Sequence, residues 1–206
     1  MKALLIIDMQ NDFMPGGALP VKDADTLAPL INQLMNNFPL IVASQDSHPP
    51  DHISFAINHP GKQVGDSILV NDQIQHLWPV HCVKETPGCA LIETLDHHKI
   101  TKVFPKGESP ELDSYSAFFD NAHLKSTGLD TYLKEKKVTE LYIGGVATDY
   151  CVLYSALDAL RLGFKVTIIQ DACKGVDVNP YDSQRALDQI CSRGGDLRLS
   201  HQLAKV

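Results

Sequence analysis

The sequence predicts an α/β fold of three layers, in which a mostly parallel central sheet is flanked by helices. Short aliphatic runs, such as residues 3–7 and 166–169, alternate with stretches of helical period. Strands that alternate with helices are joined by right-handed crossovers and so lie parallel. The runs are continuously apolar rather than alternating, which is the pattern of strands covered on both faces. A length of 206 residues suits one domain, 1–206, with a sizeable core.

The elements follow in order. Residues 3–7 are the first strand and end at Asp8. Pro15, Gly16 and Gly17 make the next stretch a loop. Leu27, Leu30, Ile31 and Leu34 recur at helical spacing, so residues 25–36 are the first helix. Residues 40–43 are the second strand and run into Ser44-Gln45-Asp46-Ser47-His48. From there to residue 100 the pattern is weak. A loop of that length in a compact domain is usually functional, and one short helix is expected within it at 90–95. Residues 102–104 form a third strand leading into Lys106-Gly107, and residues 114–119 an aromatic loop. A helix at 130–136 and a strand at 141–143 precede Gly144-Gly145-Val146-Ala147-Thr148-Asp149-Tyr150-Cys151. The two glycines are expected to form a sharp turn here, with the helix of residues 148–162 following. Residues 166–169 are a fifth strand ending at Asp171. Residues 183–193 are the last helix, closed by Gly194-Gly195, and 197–199 a final strand.

Composition narrows the function. A formal net charge of −7 argues against nucleic acid or an anionic membrane as the main partner. No apolar run reaches the length of a membrane span. Five cysteines, an odd number without a CxxC pair, fit a reduced, cytoplasmic protein better than a disulfide framework.

Ligands of open α/β sheets bind outside the carboxyl ends of the strands. Asp8, Asp46, Lys106 and Cys151 all fall at such ends. A cysteine alone is more often a small buried hydrophobe. In the first turn of a helix its thiolate is favoured by the amide dipoles, and a nearby lysine adds to that. A free thiol titrates at about 8.5 and a free aspartate at about 3.9, so proton transfer from Cys151 to Asp8 faces a gap of about 6 kcal/mol unless the site closes it. Asp46, His48, His52 and His81 form an inventory of metal ligands. Carboxylate with imidazole suits Zn, Fe or Mn, and residues two apart in an extended segment point to one side. Nine histidines in the chain make a chance DxH common. Phe13, Trp78 and Tyr115 are loop aromatics that could wall a pocket for a flat ring. The residues alone leave three readings open: a cysteine that attacks, a metal that activates water with Cys151 structural, or a metal- or ligand-binding module without catalysis.

Six stretches then carry a resemblance. They are Ile7-Asp8-Met9-Gln10-Asn11-Asp12-Phe13, Gln45-Asp46-Ser47-His48-Pro49, Trp78-Pro79-Val80-His81-Cys82-Val83, Phe104-Pro105-Lys106-Gly107, Asp113-Ser114-Tyr115-Ser116-Ala117-Phe118-Phe119-Asp120 and Gly145-Val146-Ala147-Thr148-Asp149-Tyr150-Cys151-Val152. In this order they resemble the nicotinamidases of the isochorismatase-like cysteine hydrolase superfamily. The resemblance implies hydrolysis of nicotinamide to nicotinate and ammonia, within NAD salvage, and of pyrazinamide too. It implies Cys151 as nucleophile, Asp8 as general base and then acid, and Lys106 as the third member of the triad. Asp46, His48 and His81 would bind a divalent metal, zinc first with iron or manganese as alternatives, and His52 matches a ligand in only some members. Phe13, Trp78 and Tyr115 would line the pyridine pocket. A cis Val146–Ala147 peptide would go with an oxyanion hole made of the Ala147 and Cys151 N–H groups. The family includes monomers and homo-oligomers, so assembly stays open.

Overall fold

A computed structural model describes residues 1–203 of the chain. Its strands are β1 (Lys2–Ile7), β2 (Ile41–Asp46), β3 (Ser67–Val70), β4 (Gln73–His76), β5 (Lys102–Lys106), β6 (Glu140–Val146), β7 (Lys165–Lys174) and β8 (Asp196–Arg198). Its α-helices are α1 (Leu27–Met35), α2 (Leu129–Glu135), α3 (Leu153–Arg161) and α4 (Asp182–Ser192). Six strands form one sheet in the order β5-β2-β1-β6-β7-β8, and every pairing in it is parallel.

Alternation along β1 explains the three layers. Ala3, Leu5 and Ile7 face a cluster that includes Leu129, Leu133, Ala156 and Ile190 from α2, α3 and α4. Leu4 and Ile6 face the opposite cluster, with Leu27, Ile31 and Leu34 of α1. Burial on both faces accounts for the unbroken aliphatic run. From β1 the chain winds one way to β2 and β5 and the other way to β6, β7 and β8. The strand order therefore reverses between β1 and β6, and a crevice opens at their carboxyl ends. No helix of the described residues is long and apolar enough to cross a membrane.

Several expected elements are corrected. Residues 90–95 form no helix. The Ala90 carbonyl accepts the Asn11 N–H at 3.0 Å and Ile92 N–H reaches the Met9 carbonyl at 2.9 Å, so these groups are committed to the loop after β1. The weak stretch also holds the β3–β4 hairpin, turned by Asn71 and Asp72, both at positive φ. Its strands are mostly exposed, and the apolar run Ile68-Leu69-Val70 hides the alternation expected of them. β7 does not stop at Asp171. After an irregularity in β6, Cys173 pairs with Gly145 and Lys174 with Val146.

Gly144 and Gly145 do not make the turn either; both lie inside β6. A Cβ on Gly145, at φ +127°, would sit 2.1 Å from the Ile7 carbonyl oxygen. The glycine is there so that β6 can lie against β1. Gly145→Ala is expected to destabilise the fold by about 1–3 kcal/mol, since the colliding atoms, Ile7 N, C and O, are all backbone; urea unfolding measures it, and an unchanged midpoint refutes this account.

Candidate active site

The parallel register places the chemistry. Asp46 and Lys106 are direct partners at the ends of β2 and β5. Asp8 follows β1, at φ 47°, and Cys151 follows β6 in a π-helical turn, Thr148–Val152, that leads into α3. Four adjacent strand ends thus deliver Lys106, Asp46, Asp8 and Cys151 to one buried point. The Lys106 ammonium lies 3.0 Å from Asp8 Oδ2 and 2.5 Å from Asp46 Oδ1. It also donates to the Ser114 carbonyl at 2.9 Å and lies 3.4 Å from Cys151 Sγ. Ser44 Oγ donates to Asp8 Oδ1 at 2.7 Å. Asp8 Oδ2 has no hydrogen bond of good geometry and is met by the Lys106 ammonium.

Burial pushes the Asp8 carboxyl above its ordinary value against the pull of Lys106, and the Asp46 charge adds to the rise. Burial opposes the Lys106 charge, yet Asp46 and Asp8 outweigh it and hold that lysine well above its ordinary value. The Cys151 thiol is pushed well up, by burial first, with Lys106 opposing and the two carboxylates adding. The helix start expected to favour a thiolate is thus met by burial acting in the opposite direction. All five cysteines are free, and only Cys191 is exposed.

Asp46, His48 and His81 come together as expected, with ligand atoms within 4.8 Å of one another. His48 Nδ1 meets the Gly107 carbonyl at 2.9 Å and His81 Nδ1 the Pro79 carbonyl at 2.8 Å. Carbonyls only accept, so both rings carry their proton on Nδ1 and turn the Nε2 lone pair inward. A Cβ on Gly107 would lie 2.4 Å from the His48 ring, so this position is kept small. Burial and the neighbouring His81 lower His48 to about 4, which keeps its ring neutral. One lysine between two carboxylates leaves a buried negative charge over. The donor set, the tautomers and that charge fit a divalent cation. His52 is different: its Nδ1 lies 2.7 Å from Ser54 Oγ, a hydroxyl that accepts or donates and so leaves both tautomers open, and its buried Nε2 has no hydrogen-bond partner and lies 3.9 Å from Asp113 Oδ1.

Phe13, Trp78 and Tyr115 line a cavity that also touches Asp46, His48, His81, Ala147 and Cys151. Leu19, Val21, Asp113, Tyr150 and Val176 complete its walls. The Val146–Ala147 peptide is cis, as expected. Sequence reasoning missed the supports. Ser44 was read as following the second strand, whereas it lies within β2. Gln10 lay inside a matched motif but was given no task. Its side-chain amide accepts the Asp46 N–H at 2.8 Å and donates to the Asp46 carbonyl at 2.8 Å, pairing with that backbone as a strand would. Asp149 accepts the Val176 and Asp177 N–H groups and so holds the Val176 wall.

The chain matches the isochorismatase domain family over residues 2–202. It is 42% identical over 200 residues to the nicotinamidase of Escherichia coli K12, covering 95% of this chain and 93% of that one. The structure of a nicotinamidase/pyrazinamidase from Acinetobacter baumanii superposes with a TM-score of 0.95 at 43% identity, covering 98% of each chain. A pyrazinamidase from Pyrococcus horikoshii, solved in complex with zinc, superposes with a TM-score of 0.78 at 38% identity, over 96% of this chain and 98% of that one.

Loss of an outer support of a metal ligand costs about 10–100-fold in affinity. Gln10→Ala is expected to weaken zinc binding by that factor, read by competition with a chromophoric chelator; wild-type affinity refutes the role given to Gln10.

Proposed function

The chain belongs to the isochorismatase family, and within it we propose that the chain, as one catalytic domain, hydrolyses nicotinamide to nicotinate and ammonia, and pyrazinamide likewise. The observation that carries this is Lys106 held 3.0 Å from Asp8 and 3.4 Å from Cys151 beside a cavity lined by Phe13, Trp78 and Tyr115. Relatives named nicotinamidase over nearly the whole chain support the substrate.

The Cys151 sulfur attacks the amide carbon as its proton passes to Asp8 Oδ2. The raised Asp8 carboxyl is the better base for it, and Lys106 offsets the charge as sulfur loses its proton. The N–H groups of Ala147 and Cys151 receive the developing oxyanion. Asp8 then returns the proton to the amide nitrogen, the C–N bond breaks and ammonia leaves. A water attacks the thioester, again giving its proton to Asp8. The C–S bond breaks, nicotinate departs and the proton returns to sulfur. Ser44 holds Asp8 Oδ1 throughout, so Oδ2 does the transfers.

Asp46, His48 and His81 would hold a divalent metal, zinc by preference, with iron or manganese as alternatives. The chemistry it would supply is a template for the ring nitrogen that orients the carboxamide. Phe13, Trp78 and Tyr115 clamp the ring faces and edges. Five free thiols support a reduced, cytoplasmic setting, and hydrolysis of nicotinamide would place the chain in NAD salvage. No nucleic acid or membrane partner is needed.

Ammonia release from nicotinamide, with and without a chelator, is the direct test. Activity is expected to fall on metal removal and return with zinc; no ammonia from the zinc-loaded protein sinks the reading. Cys151→Ala is expected to abolish turnover while nicotinamide still binds, and near-wild-type turnover would exclude the covalent route. Benzamide, lacking the ring nitrogen, is expected to be a poor substrate, and equal kcat/KM for the two amides would exclude ring-nitrogen ligation.

A further inference from the structure

We infer that Gln75 is a positioning residue for the ring pocket: from the β3–β4 hairpin its side-chain amide fixes the Tyr115 hydroxyl beside the Trp78 indole. The inference rests on the cavity being a ring site, as proposed above.

The hairpin stands outside the six-stranded sheet. Its Leu69 and Ile74 face solvent, 75% and 67% exposed, whereas Gln75 turns inward at 4%. The amide nitrogen lies 3.0 Å from Asp113 Oδ2, 3.2 Å from the Tyr115 hydroxyl and 2.8 Å from the His76 carbonyl. Two hydrogens are thus shared among three acceptors. Trp78 Nε1 donates to the same Tyr115 oxygen at 3.3 Å. That oxygen therefore takes N–H groups from both Gln75 and Trp78, which fills its two acceptor positions. The two rings that line the cavity are locked to each other at this oxygen, and the hairpin locks the pair.

The amide is specific to the task. A carboxylate at position 75 would face the Asp113 carboxylate across 3.0 Å. An apolar chain of equal length would leave Asp113 Oδ2 and the Tyr115 hydroxyl short of a donor in a buried place. Gln75 touches neither Cys151 nor Asp8, so its loss reaches the chemistry only through where the ring sits.

The test compares Gln75→Met, which keeps size, with Gln75→Ala, in the zinc-loaded protein. Trp78 is the single tryptophan of the chain, so its emission reports this wall alone. Both variants are expected to raise KM for nicotinamide about tenfold with kcat within about threefold, and to shift Trp78 emission to the red before substrate is added. A Gln75→Met protein with wild-type KM and emission overturns the inference, because the amide is then not needed. A fall in kcat at unchanged KM overturns it too. Tyr115→Phe removes only the oxygen the amide reaches, and it is expected to add nothing further to Gln75→Met; additive effects count against the shared oxygen. If Gln75→Met does not fold, Tyr115→Phe alone decides: unchanged KM overturns the inference. Should the wild-type protein release no ammonia, the activity reading fails by itself, and the emission shift still judges Gln75.

Discussion

The buried ammonium of Lys106 is the constraint on which the rest of the site depends. A lysine shielded from water is tolerated only where opposite charge surrounds it. Here the charge comes from two carboxylates on two other strands, and the sulfur comes from a fourth element. Each partner must arrive within about a hydrogen bond's length, so the ends of β5, β2, β1 and β6 cannot shift independently. The all-parallel sheet meets this demand because neighbouring strand ends lie side by side. Gly145, by letting β6 close on β1, narrows the gap between Asp8 and the cysteine turn.

Around this centre the protein uses backbone groups as tools. Carbonyls of Gly107 and Pro79 choose the tautomers of His48 and His81. The Gln10 side chain copies a strand's hydrogen bonds to fix Asp46. Asp149 gathers two N–H groups to hold the wall at Val176. These contacts set orientation rather than bulk stability, and orientation is what a templated reaction requires.

Much of this was legible in the sequence, for physical reasons. Doubly buried parallel strands leave continuous aliphatic runs, so β1, β2 and β6 were readable. Asp8, Asp46, Lys106 and Cys151 were found because strand ends are where such sheets place ligands. The hairpin escaped because its apolar residues face solvent, and a period of two is invisible in Ile68-Leu69-Val70. The helix expected at 90–95 failed because its backbone groups were taken by the loop after β1. Gln10, Ser44 and Gln75 escaped because a hydrogen-bond partner distant in the chain leaves no local pattern. The surroundings of the thiol were half legible: a helix start is visible in sequence, whereas the depth of burial that pushes the thiol up is not.

That depth of burial also ranks the five thiols by their access to a reagent. Cys191, on α4, meets solvent, while Cys82, Cys89, Cys151 and Cys173 are enclosed. A thiol label added to the intact protein therefore counts the outer face of a helix before it counts Cys151. The first equivalent consumed is silent about the site, and a labelling stoichiometry becomes informative only once Cys191 has been removed from the tally.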